Sequence, residues 1–415
     1  MKLLNTKIDI KIIKQIILWI VFFILLFKIR IFNIDLTKYI FVIVIIYLFL
    51  HLCEVRSILN KIGIKHYIIY VALGFFWASG LLYREIFYVY NSSSSYMFSK
   101  ELIVSMLYLF VMPIFIIMVF KNSENFERTI SSVAIAQSII VISSLFLDPV
   151  KSLLSLYYSY DKEYLFYISA SVKGIGIGVV GAAGSIVLFS SQVLLLFMML
   201  KGKITVSNFF VKYLIIMIAE AISGRTGFYC AVALLIFWLI TEKRDNILYD
   251  MRKVIPKIII ITIFLFLIVY LFKPELIGRI VNRSLELFYG LFNLGEGSQT
   301  FDVLSKMDKP ALTLETLFGT SVTKGISQLG TKFQNDSGYW QKFFALGLFG
   351  SIAYYISFLQ LYLLPIIENK LKNKIFYFFI LAIMFIIEIK EPFFSYMILP
   401  MMFMAIINMD ILSKQ

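Results

Sequence analysis

The chain has 415 residues, 60% of them hydrophobic and only 15% charged, with a mean hydropathy of +0.88. No soluble globular domain approaches that composition, so a water-soluble enzyme and a nucleic-acid-binding domain are both excluded, although the net charge is +14. In a membrane protein Lys and Arg report orientation, because they gather in cytoplasmic loops.

Apolar blocks of Ile, Phe and Leu recur along the chain without strand-like alternation, and each is long enough to cross a hydrocarbon core as a helix. Lys2, Lys7, Lys11 and Lys14 precede an apolar run to Phe27 with no small-residue cleavage site after it, so the first span is expected to be retained. About twelve spans fit, over 13–31, 36–53, 64–83, 102–120, 129–147, 177–200, 209–223, 226–241, 256–272, 343–366, 375–389 and 393–409. The expected organisation is therefore an all-α polytopic membrane protein. Residues 1–272 carry nine spans with short loops, 273–341 form one long outer loop, and 342–415 carry the last three spans. Among the short loops, Lys and Arg are biased to the side of the membrane that holds the N-terminus, which predicts both termini in the cytoplasm. Cys53 and Cys230 fall inside apolar runs, and His51 and His66 lie near a span boundary, so neither a disulfide framework nor a thiolate or imidazole metal site is expected.

Several outward-facing features stand out from these short connections. The first, 148–176, carries Tyr157, Tyr158 and Tyr160 and then Lys173-Gly174-Ile175-Gly176 leading into a span. The second is Ser223-Gly224-Arg225-Thr226-Gly227, a hairpin between two apolar runs. An uncompensated Arg at bilayer depth costs roughly 2.5 to 3.5 kcal/mol, so such residues face a cavity, a partner or a bound anion. The two Gly also suit a plain tight turn whose Arg reaches the headgroups. Glu220 precedes Arg225 on the same span and either orients it or forms a structural ion pair with it.

The third feature, 273–341, is too long for an unstructured link in a compact protein. Arg279 and Arg283 stand four apart in an amphipathic stretch, on one face of a helix lying against the membrane. The loop closes with Asn335-Asp336-Ser337-Gly338-Tyr339-Trp340, running straight into the tenth span. A smaller feature, Glu388-Ile389-Lys390-Glu391-Pro392, joins the last two spans, and its Lys and Glu either pair with each other or serve a site.

The outer face thus gathers Lys173, Arg225, Arg279, Arg283 and Lys390 with Asp336, Glu388 and Glu391. Guanidinium forks match phosphate oxygens bidentately, which suits the pyrophosphate of a lipid-linked substrate. A nearby carboxylate can take the proton of an acceptor hydroxyl. Tyr339 and Trp340 can stack on sugar faces, although Tyr and Trp also reside ordinarily at membrane interfaces. The chain carries no GxxxxGK[ST], HExxH, CxxC or DxD pattern, so neither nucleotide hydrolysis nor a metal-clamped nucleotide sugar is expected, and no cofactor or metal.

In the order of these features the chain resembles the O-antigen polymerase (Wzy) family of the O-antigen polymerase and ligase superfamily. The resemblance rests on Lys173-Gly174-Ile175-Gly176, where relatives often carry Arg-x-x-Gly, on Ser223-Gly224-Arg225-Thr226-Gly227, on Asp336-Ser337-Gly338-Tyr339 followed by Gly347 and Gly350, and on Lys390-Glu391-Pro392. It covers about the C-terminal 250 residues by motif and the rest by hydropathy alone. It implies a glycosyltransferase-C-like protein of the bacterial inner membrane. Such a protein joins undecaprenyl-pyrophosphate-linked oligosaccharide repeat units at the periplasmic face, alongside a separate chain-length-regulating co-polymerase. On this resemblance Lys173, Arg225, Arg279 and Arg283 bind pyrophosphate, Asp336 is the base or orients the acceptor, and Tyr339, Trp340, Lys390 and Glu391 meet acceptor or sugar. Lys173 departs from the expected Arg. The late loop lacks the His typical of the ligase branch, which favours polymerase over ligase, and the unlike halves of the chain disfavour a lipid-linked oligosaccharide flippase.

Overall fold

The computed structural model describes residues 10–31, 34–88, 98–154, 174–179, 181–241, 309–326, 332–369 and 373–414, together with positions 256, 263, 267, 278, 307 and 371. The expected ninth span at 256–272 and most of the long loop, including Arg279 and Arg283, lie outside the described residues, as do Lys173, Tyr157, Tyr158 and Tyr160. By contact the chain divides into two compact units, Met1–Ile43 with Glu124–Leu285, and Val44–Ser123 with Glu286–Gln415.

The described chain is overwhelmingly helical, as its apolar blocks predict. In order it forms α1 (Ile10–Phe27), a two-residue hairpin of β1 (Arg30–Ile31) and β2 (Ile34–Asp35), α2 (Leu36–Leu50), α3 (Leu52–Ile62), α4 (Ile64–Tyr88), α5 (Phe98–Phe120), α6 (Ser123–Phe146), α7 (Asp148–Leu154), α8 (Gly181–Leu200), α9 (Val206–Ser223) and α10 (Arg225–Thr241). After the long-loop region come α11 (Leu314–Phe318), the hairpin β3 (Gly325–Ile326) and β4 (Lys332–Phe333), α12 (Gly338–Glu368), α13 (Lys374–Glu388), α14 (Phe393–Tyr396) and α15 (Ile398–Leu412). Among the described residues, five helices are long and apolar enough to cross a membrane, within α5, α6, α8, α9 and α12. The α2–α3 pair makes a sixth if it is counted as one span, but it bends by 88°. Hydropathy marks only 36–53 as a span. The amphipathic α3, with Glu54, Arg56 and Lys61 on it and only Leu59 and Ile62 buried, is the piece that hydropathy leaves out.

Each unit is built on one helix that is apolar all round and buried all round. In the first unit this is α8, which packs against α1, α9 and α10. In the second it is α15, which packs against α5 and α12. Buried tyrosines tie the helices together by donating hydroxyl protons to groups on neighbouring helices: Tyr213 to Ala231 O (2.7 Å), Tyr362 to Pro400 O (2.9 Å) and Tyr377 to Asp410 Oδ2 (2.6 Å). Such a residue gives a large apolar body to the packing and still places its one polar atom.

Two stretches of non-helical backbone run through buried surroundings, and each is satisfied by neighbouring groups. The span expected from residue 177 begins its helix only at Gly181; residues 174–179 form an irregular buried segment against α6. Gln137 clamps this segment, its Nε2 donating to Ile177 O (2.9 Å) and its Oε1 accepting from Ile177 N (3.3 Å), while Ser144 Oγ accepts from Ile175 N (2.7 Å). A β-carbon at Gly176 would lie 2.1 Å from Gln137 Nε2, so the clamp requires glycine there. The two glycines of the Lys173-Gly174-Ile175-Gly176 motif thus serve close packing, against Ile222 and Val141 at Gly174 and against Gln137 at Gly176.

The second stretch lies in α12, which breaks at Gly347 (φ 76°, ψ 178°), a conformation suited to glycine. The break frees carbonyls at the end of the first half-helix, and the loop after α11 takes them: Thr320 N and Ser321 N donate to Phe344 O and Ala345 O, each at 2.9 Å, and Thr320 Oγ1 donates to Phe344 O at 2.8 Å. This close approach is of backbone to backbone, for a β-carbon on Gly347 would meet Leu317 O at 2.3 Å. Irregular backbone at membrane depth is tolerated only with such internal partners.

Replacing Gln137 by Leu should strand both polar groups of Ile177, at roughly 1 to 3 kcal/mol each. Gly347→Ala should add backbone strain of roughly 1 to 3 kcal/mol. Both variants are expected to melt below the parent chain in detergent; a Gln137→Leu protein with an unchanged melting temperature would show that the buried segment is held by other contacts.

Candidate functional site

In the second unit the Asn335-Asp336-Ser337-Gly338 sequence sets the start of α12. Asn335 Oδ1 accepts from Ser337 N (2.8 Å) and Asn335 O accepts from Gln341 Nε2 (2.9 Å), so a buried asparagine fixes the turn and aims the first helical residue. That residue is Gly338. A β-carbon there would lie 2.3 Å from the carboxyl of Glu388, the last residue of α13, so the first turn of α12 closes directly onto this carboxylate. A negative group at a helix N-terminus is favoured by the unsatisfied amides and the helix dipole.

Glu388 is completely buried. Its Oε1 accepts from Tyr355 OH (2.8 Å) and its Oε2 from Phe394 N (2.9 Å), the latter because the turn at 389–392 brings α14 back against the end of α13. Lys342, one turn into α12, supplies the compensating charge acting on Glu388. It is itself fully buried, with Nζ 3.0 Å from Glu101 Oε1 at the start of α5 and 4.7 Å from the centre of the Phe98 ring. The ammonium is thus paired with Glu101 of α5, and its field reaches the Glu388 carboxylate at the end of α13.

Beside this centre lies a groove of about 390 Å³ lined by Tyr339, Trp340, Phe343, Tyr355 and Ile356. The Tyr339 and Tyr355 rings are 4.9 Å apart, so the hydroxyl that holds Glu388 belongs to a ring of the groove wall. The arrangement offers aromatic faces next to a buried carboxylate and a buried cation, within the volume range of small-ligand sites.

The residues predicted from sequence fall into different places. Asp336 is a half-exposed neighbour of this centre, and its Oδ1 lies 2.6 Å from Lys324 Nζ, a cation that the sequence reading did not single out. Tyr339 lines the groove, with its hydroxyl donated to Phe385 O (2.9 Å), and Trp340 lines it too while packing against Val322, Phe333 and Phe344. Lys390 and Glu391 sit on the tight turn after Glu388, partly exposed. Arg225, partly exposed between buried neighbours, opens α10 in the first unit. Lys173, Arg279 and Arg283 lie outside the described residues. Glu220 is buried, and its carboxylate makes no ion pair with Arg225; the ion-pair expectation for these two is corrected. Geometrically Arg225 follows the α9–α10 break while Glu220 lies more than a turn back on α9, turned into the packing.

Lys342 and Glu101 are absent from the sequence-stated site. The signal was present: each charge directly precedes a hydropathy-defined span, at 343 and 102.

Replacing Lys342 by Met should leave the carboxylates without their cation, at roughly 3 to 5 kcal/mol for a buried pair. The Lys342→Met, Glu388→Gln double variant should recover part of that loss; equal melting temperatures for the single variant and the parent would refute the shared-cation arrangement. Compared with protein-family models, curated proteins and solved structures, the chain matches none.

Proposed function

We propose that this chain is an O-antigen polymerase, a membrane glycosyltransferase that joins undecaprenyl-pyrophosphate-linked oligosaccharide repeat units. The observation that supports it best is the aromatic groove at the start of α12, to which the Asp336-Ser337-Gly338-Tyr339 motif contributes Tyr339 and whose Tyr355 holds the buried Glu388. A sugar ring needs flat apolar faces, and that groove has them in Tyr339, Trp340, Phe343 and Tyr355. In this reading the protein has about twelve spans and a glycosyltransferase-C-like architecture. It sits in the inner membrane with both termini cytoplasmic and works with a chain-length-regulating co-polymerase.

The reaction forms a bond between an acceptor hydroxyl oxygen and the anomeric carbon of the growing glycan, while the bond from that carbon to the lipid pyrophosphate breaks. Negative charge develops on the departing pyrophosphate, so Arg225, Arg279, Arg283 and Lys173 are assigned to it, guanidinium groups matching its oxygens in pairs. Asp336 takes the acceptor proton or orients the acceptor, with Lys324 Nζ 2.6 Å from its Oδ1. Tyr339 and Trp340 hold the sugar rings, with Lys390 and Glu391 at the acceptor side. The sequence has no DxD clamp, which fits a metal-independent inverting transfer.

The test is a lipopolysaccharide gel from cells lacking the gene, complemented with the intact chain, with Asp336→Asn or with Arg225→Ala at matched protein level. A single repeat unit on the lipid core in the deletion, a ladder with the intact chain and no ladder with either variant are expected. Polymer accumulating on undecaprenyl in the deletion would make the protein a ligase, and absence of periplasmic repeat units would make it a flippase; either overturns the proposal.

A further inference from the structure

The first unit holds a polar cluster that the proposed transfer reaction does not use. α8 and α9 run antiparallel across a short link, since Gln192 Nε2 donates to Tyr213 O (3.2 Å) while Ser185 Oγ, seven residues earlier on α8, lies against Gly224 and accepts from Gly227 N (3.1 Å). α9 buries a continuous stripe of Phe209, Tyr213, Ile216, Glu220 and Ser223, spaced by three and four residues and so on one helical face. Helical side chains lean toward the N-terminus, so the Glu220 carboxylate reaches back over the turn level with Gln192, with which it interacts. Ser223 leans over the turn that carries Glu220.

Glu220 and Gln192 are 0% exposed and Ser223 is 4% exposed. Gln192 Oε1 and Ser223 Oγ have no hydrogen-bond donor among the described residues, and Glu220 Oε1 and Oε2 have none within hydrogen-bond geometry, the Gln192 amide being the one donor that acts on them. Buried acceptors on facing helices with so few donors ask for something positive between them. The donor set is oxygen only and carries one carboxylate. Divalent ions take more carboxylates than this, and transition metals favour nitrogen or sulfur ligands, so the cluster suits a hard monovalent cation. We propose that Glu220, Gln192 and Ser223 form a binding site for a sodium-sized monovalent cation in the α8–α9–α10 core. Occupied, the site pins α9 to α8 directly before the Ser223–Gly227 break that presents Arg225.

The experiment is thermal unfolding of the purified full-length protein in detergent. Sodium chloride replaces choline chloride at constant ionic strength, with potassium and lithium as comparisons. A ligand bound only by the folded state raises the melting temperature in a saturable way, here by about 2 °C or more. Glu220→Gln and Gln192→Leu should abolish the sodium-dependent rise, and Ser223→Ala, which keeps the charge and loses one ligand, should move half-saturation to higher sodium. If Glu220→Gln does not fold, the Ser223→Ala titration still decides. A parent protein that melts identically in sodium and choline would overturn the site and leave a proton as the neutralising group; so would a sodium response that survives in Gln192→Leu and Ser223→Ala unchanged.

Discussion

A polar group carried to the depth of a bilayer has no water to turn to, and the details of this fold follow from that constraint. Where the backbone leaves the helix, a partner waits. Gln137 and Ser144 serve the 174–179 segment, and the loop after α11 serves the carbonyls freed at Gly347. The glycines at these places are there because the partner must come close, backbone against side chain in one case and backbone against backbone in the other. These breaks confer no stability. They give the second unit a short half-helix whose N-terminus can be aimed at a carboxylate.

The same constraint shapes the charged centre. Glu388 is surrounded by a tyrosine hydroxyl, a backbone amide, the first turn of α12 and the field of Lys342, so its charge is met from several sides by groups drawn from α12 and α14. Buried ion pairs contribute little net stability, because the desolvation of both partners offsets most of the attraction. What fixes Tyr355, and with it a wall of the aromatic groove, is the hydrogen bond its hydroxyl donates to Glu388. Asp336 stands apart from that economy: it is half exposed, and among the described residues its carboxylate pairs with Lys324.

Hydropathy made the helical membrane class legible and located most helices to within a few residues, because a long apolar block has few other solutions. It could not see α3, whose charges look like a loop when only the mean is read. It also cut the spans immediately after Glu101 and Lys342, since averaging hydropathy pushes charges out of membrane segments; the two residues that meet at 3.0 Å therefore read as boundaries. The turn chemistry of Asn335-Asp336-Ser337-Gly338 was legible as an unusual polar run into a span, but its object, Glu388, was not, because fifty residues separate Gly338 from it in sequence. Tyr339, read as a sugar-stacking or interface residue, also donates its hydroxyl to Phe385 O, while Tyr213, Tyr362 and Tyr377, which no motif marked, are interhelical hydrogen-bond donors. Composition gives the residue type, and only packing decides which acceptor its hydroxyl meets.

The most direct measurement is a reconstitution: the purified chain in liposomes with its undecaprenyl-pyrophosphate-linked repeat unit, products separated by glycan length over time. The account predicts glycans of two and more repeat units on the lipid, with free undecaprenyl pyrophosphate released once for every bond formed. A substrate that stays at one repeat unit, with the protein folded and the lipid intact, would contradict it.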